Sequence, residues 1–137
     1  MSYSRIYNNF FNFRQNVASS LSSLWRFHLS RIYLLLVLLC QVIAWFQARF
    51  IFKNLSSDLL VLHYNVEYGT DLIGDPNRIF IYPLAGLLVI LLNLILCLLF
   101  YRHKDFKLFA NLLLGGLILF GIFLNLALLS IYLINFR

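Results

Sequence analysis

The sequence predicts an all-α protein: a three-helix transmembrane bundle with an N-terminal amphipathic interfacial helix and an ordered outer loop. Three observations predict it. Hydrophobic residues make up 62% of the 137-residue chain and charged residues 12%, against roughly 45–50% and about 25% in soluble domains. The apolar residues fall in three blocks, about 31–52, 80–101 and 108–134. Each block is long enough for a hydrocarbon core of about 30 Å, which takes roughly 20 helical residues to cross. The polar residues, finally, concentrate ahead of the first block and between the first and second. A soluble fold of this composition would leave Leu-rich surface in water. The organisation expected is a helix over 1–29 and a three-span domain over 30–137, with an outer loop at 53–79.

In the N-terminal segment, Ile6, Phe10, Phe13, Val17, Leu21 and Leu24 recur at spacings of three and four, the period of a helix. Arg5, Arg14 and Arg26 supply cations, and Phe10, Phe11, Phe13, Trp25 and Phe27 supply aromatic rings. A basic, aromatic-rich amphipathic helix lies in the headgroup plane. It is not a secretory signal: the apolar run begins only near residue 32, and no small-x-small cleavage site follows.

Within the spans the few polar and small residues mark helix seams. Gln41 sits near the middle of the first span, and lipid offers an amide no hydrogen-bond partner there. Arg49, near the far end of that span, can snorkel to the interface. The second span opens with Tyr82-Pro83, a place where a first-turn proline is tolerated. Gly86, Asn93 and Cys97 then follow at spacings of seven and four. On the third span Asn111, Gly115, Ile118, Ile122 and Asn125 form one stripe. Gln41, Gly86, Asn93, Asn111, Gly115 and Asn125 are therefore the expected packing seam. No Asp, Glu or Lys lies deep in any span, which favours packing over a transport path.

Topology follows from flanking charge. Arg5, Arg14, Arg26 and Arg31 precede or open the first span, and Arg102, Lys104 and Lys107 crowd the short second connection. The loop between holds Asp58, Glu67, Asp71 and Asp75 against Lys53 and Arg78. The positive-inside rule puts the N-terminus and second connection in the cytoplasm, and the loop and C-terminal Arg137 outside, in a plasma or inner membrane. Basic residues at span ends set topology, so the net charge of +6 does not indicate nucleic-acid binding. Cys40 and Cys97 fall inside spans without CxxC spacing, as buried thiols do.

The outer loop carries an apolar run from Leu59 to Val66 that includes His63-Tyr64-Asn65, followed by Gly69-Thr70-Asp71. The run is too short to span, so it rests on the membrane surface or on the helix tops. Gly69, Gly74 and Pro76 are turn residues that compact the rest. His63, Tyr64, Asn65, Gly69 and Asp71 are the candidates for a recognition site or a structural knot. In this pattern the loop and its flanking spans, about residues 30–100, resemble a bacterial membrane domain of unknown function. That domain stands at the N-terminus of sporulation-delaying-protein immunity-type proteins. The resemblance implies a bacterial inner-membrane protein and names no catalytic residue.

One histidine with scattered carboxylates lacks the convergent groups of a catalytic or metal site. No enzyme activity, cofactor or metal is expected. Two functional classes remain. One is a non-catalytic accessory, assembly or immunity-like subunit acting through its helix seams and outer loop. The other is a component of a small oligomeric transporter or channel. The partners implied are membrane lipid and either another membrane protein or further copies of this chain.

Overall fold

The computed structural model describes residues 2–55, 59–65, 67 and 69–136, with the side chains of 2–6, Asn9, Phe13 and Asp71 outside the description. Expectations resting on Arg5, Ile6, Phe13, Asp58, Val66, Arg137 and the Asp71 carboxylate therefore fall outside it. In chain order come α1 (Ser2–Arg26), α2 (His28–Asn54), β1 (Leu60–Asn65), β2 (Gly69–Gly74), a 3-10 helix (Pro76–Phe80), α3 (Ile81–Phe100) and α4 (Phe106–Asn135). Three helices are long and apolar enough to cross a membrane: α2, the 3-10 helix running on into α3, and α4. A helix long and apolar enough to span lies at each of the three expected blocks, within a few residues of its expected ends.

The bundle is held by two apolar clusters with a polar waist between them. Near α1, Leu24, Val37, Cys97, Phe106, Ala110, Leu114 and Leu117 pack together. At the other end Ala44, Ala48 and Ile51 of α2 meet Leu60 and Leu62 of β1, Ile79, and Leu128 and Ile131 of α4. From Val37 on, the buried positions of α2 (Val37, Gln41, Ala44, Ala48, Ile51) step by four and three. That period keeps one stripe facing a neighbouring helix. Its answering stripe on α4 is Ala110, Leu114, Leu117, Leu128 and Ile131, and α2 with α4 forms the most extensive helix pair. Alanines at 44, 48 and 110, all wholly buried, let the two backbones come close.

The α4 stripe differs from the expected one. Leu114 is buried, Gly115 beside it only half-buried, and Ile122 is exposed. Selecting positions by polarity picked the edge of the contact face, where Asn111 and Asn125 reach inward. The centre of that face is made by leucine and alanine, which resemble the lipid-facing leucines in sequence.

α1 and α2 are separate helices because Phe27 takes an extended conformation between them (φ −85°, ψ 122°). Its ring lies 6.5 Å from that of Phe106, with the Lys107 ammonium 5.8 Å from its centroid. α1 presents three faces. Ser20 and Leu24 are buried against the bundle. Tyr7, Phe10, Phe11, Leu21 and Trp25 are exposed along one side of the helix with Arg14 among them, and Asn12, Gln15 and Ser19 make a polar face. The expected stripe is thus divided: Leu24 turns to the bundle while Phe10 and Leu21 stay outside. An apolar face, a polar face and a flank on the spans are the requirements of a helix lying in the headgroup plane beside a bundle.

Candidate functional site: a polar waist and a clamped hairpin

The waist is built from amides that lipid cannot satisfy. Gln41 is 7% exposed, and its Nε2 donates to the carbonyl of Pro83 at 2.7 Å, tying α2 to the first turn of α3. Gly86 faces the same side chain: a Cβ there would lie 2.5 Å from Gln41 Oε1. Asn125 of α4 donates through Nδ2 to the Cys40 carbonyl at 3.0 Å and to its own Gly121 carbonyl at 2.7 Å. At Gly121 α2 and α4 come close, since a Cβ on it would stand 2.9 Å from Cys40 Cβ. The space left where Gln41, Gly86 and Gly121 meet is about 10 Å³, the lower limit for holding one water. The waist is a closed seam.

Not every expected seam residue bridges helices. Asn111 does, accepting from Ser30 Oγ at 3.2 Å. Asn93 instead donates to Val89 of its own helix at 2.9 Å. Gly115 is not a point of close approach, because a Cβ there would meet no heavy atom within 4 Å. The close glycines are Gly86 and Gly121.

The outer loop folds as an antiparallel hairpin. Leu60 pairs with Gly74, Val61 with Ile73, His63 with Leu72, Tyr64 with Thr70, and Asn65 with Gly69. Register shifts leave Leu62 on β1 and Asp71 on β2 as extra residues, two bulges that bend the strands. The effect on β1 is visible in its burial: Leu60 and Leu62 are buried on the helix tops, then His63 and Tyr64 are both exposed. Asn65 and Gly69 shape the turn. Asn65 Oδ1 accepts from the Glu67 amide at 2.9 Å, a local turn suited to asparagine. Gly69 takes φ +79°, a left-handed conformation open to glycine without cost.

One further residue fixes the hairpin to the bundle. Asn135, at the end of α4, accepts from the Val61 amide through Oδ1 at 2.9 Å. It donates through Nδ2 to the Val61 carbonyl at 2.8 Å and to Ile131 at 2.8 Å. The side-chain amide stands in for a neighbouring strand along the open edge of β1, so an otherwise exposed edge is paired. Sequence reasoning missed Asn135 and Ser30. The available signal was a polar side chain at the edge of an apolar run, before the first block at Ser30 and after the last at Asn135, which reads equally well as a span boundary.

Of the five loop candidates, Asn65 and Gly69 act together in the turn. His63 and Tyr64 lie one after the other on β1, with the Asp71 bulge across the ladder from them. Among the described residues no three His, Cys, Asp or Glu side chains gather into a potential metal site.

The chain matches no protein family, no curated protein and no solved structure. Its class rests on its own architecture: three helices apolar and long enough to cross a membrane, closed by internal amides, as in a small polytopic membrane protein.

Proposed function

We propose that this chain is a non-catalytic accessory, assembly or immunity-like subunit of a bacterial inner membrane. Its N-terminus and α3–α4 turn are cytoplasmic, and its hairpin and C-terminus face outward. The observation that supports this reading is where the intramembrane polar groups are spent. Gln41, Asn111 and Asn125 bond to neighbouring helices, and the space beside Gln41 at the waist has room for at most one water. A transported polar solute needs groups lined up along a path, and here the seam leaves isolated oxygens, Asn125 Oδ1 and Gln47 Oε1, in place of such a lining. What remains for a partner is the outer surface, where the hairpin holds Tyr64, Leu72 and Ile73 about half exposed. The likeness of His63, Tyr64, Asn65, Gly69 and Asp71 to the immunity-type membrane domain points the same way.

Purification in mild detergent with mass measurement of co-eluting species tests the role. A stoichiometric protein partner is expected. A defined homo-oligomer with no partner would instead favour the oligomeric channel. Orientation is checked separately by thiol labelling after Cys40 and Cys97 are replaced by alanine. A cysteine at Thr70 should react with a membrane-impermeant reagent in intact cells, and one at Lys104 only after the cells are opened. The opposite pattern would invert the topology.

A further inference from the structure

Where α1 passes the end of α3, six residues enclose a cleft of about 560 Å³: Asn12, Gln15, Asn16, Ser19, Tyr101 and Arg102. We propose that this cleft binds the phosphate group of an anionic membrane lipid.

The cation is held in place before any ligand arrives. Tyr101 donates its hydroxyl to Asn16 Oδ1 at 2.9 Å. Arg102 Nε donates to the Tyr101 oxygen at 2.7 Å, and Nη2 reaches the same Asn16 oxygen at 3.4 Å. The guanidinium carbon also stands 5.4 Å from the Tyr101 ring centroid. With its Nε side engaged, the guanidinium keeps donors in the fork geometry that suits phosphate oxygens. No carboxylate lines the cleft, and no described acid is in ion-pair distance of Arg102. The remaining wall is neutral and donor-bearing. Because Asn16 accepts through Oδ1, its Nδ2 is left to donate, and the amides of Asn12 and Gln15 add further N–H groups.

Position selects the source of the phosphate. Tyr101 and Arg102 directly follow α3, so they stand at the depth of headgroups in any placement that buries the apolar helix. Phe11, exposed on α1 one turn before the cleft residue Gln15, can lie along acyl chains. A lipid can therefore meet the cleft with its headgroup and α1 with its tails, whereas free phosphate can use only the first.

The test uses the full chain in detergent. Retention of added phosphatidylglycerol and of zwitterionic phosphatidylcholine is counted by native mass spectrometry. Thermal unfolding is followed with each lipid and with millimolar inorganic phosphate. Phosphatidylglycerol should be retained preferentially and should raise the unfolding temperature, and inorganic phosphate should do neither. Arg102→Gln should lower its retention about tenfold, as expected for loss of a charge-assisted contact. Tyr101→Phe, which keeps the charge but frees the guanidinium, should cause a smaller fall. Lys104→Gln, a neighbouring cation outside the cleft, should leave retention near that of the parent. Arg102 is exposed, so its variant should fold. Should it not, Tyr101→Phe against Lys104→Gln decides alone. Equal retention of the two lipids, parent-like retention in the cleft variants, or an equal loss in Lys104→Gln would overturn the lipid site. So would stabilisation by inorganic phosphate equal to that by phosphatidylglycerol.

Discussion

Asn135→Leu is expected to release the hairpin while leaving the three long helices in place. The substitution keeps the apolar character of the end of α4 but strips the Val61 amide and carbonyl of their partners at 2.9 and 2.8 Å. Unmet backbone groups cost about 1–3 kcal/mol when buried. These are part-buried, which places the loss toward the lower end. The thermal midpoint in detergent should fall and proteolysis within the hairpin should quicken, with helical circular dichroism preserved. Asn135→Asp should be intermediate, since a carboxylate still accepts from the Val61 amide but cannot donate to its carbonyl. Parent-like proteolysis in Asn135→Leu would mean that Leu60 and Leu62, buried on the helix tops, suffice to hold the strand.

Gly121→Ala should be damaging, and Gly115→Ala benign. At 121 the new methyl would stand 2.9 Å from Cys40 Cβ, an atom close to the backbone that cannot swing aside. α2 and α4 must then part, and the Asn125 bond to the Cys40 carbonyl, now 3.0 Å, must lengthen. Overpacking of this kind costs about 1–3 kcal/mol. At 115 there is open space, so alanine should stabilise by about 0.5–1 kcal/mol through helix propensity. Cys40→Gly removes the opposing Cβ and should recover part of the Gly121→Ala loss, a coupling expected only between residues in contact. Thermal unfolding of the three single variants and of the Cys40→Gly/Gly121→Ala double variant would rank them. If Gly121→Ala and Gly115→Ala were equally stable, the close approach of α2 and α4 at this point would be wrong.

The two glycines also show where sequence reasoning reaches its limit. Gly115 and Gly121 sit on the same span and look alike in sequence. Gly115 shares a stripe with two asparagines and so was the natural choice. A helix face is defined within about one residue, because each step turns the chain by roughly 100°. Amides at the edge of a contact can reach inward, so a polar stripe locates the seam only to within that step. On α2 the reading was secure, since Gln41 stands alone in an apolar run and a lone amide in lipid must find a partner. Nothing in the sequence said that this partner would be the Pro83 carbonyl.

By itself the sequence determined the class: three spans, their ends to within a few residues, and a helix ahead of them with an aromatic and basic face. These follow from composition and period, which act along the chain and are set by the thickness and polarity of the bilayer. It also determined that the apolar run in the loop packs against the helices, because side chains such as Leu60 and Leu62 must be covered. Only the tertiary structure decided what that loop becomes. The strands pair across a turn shaped by Asn65 and Gly69, and their edge is closed by Asn135 from the far end of the chain. The same holds for the Tyr101–Arg102–Asn16 cleft, whose members lie some eighty-five positions apart. Hydrogen bonds are short and directional, so which distant amide meets which carbonyl depends on how the helices are packed.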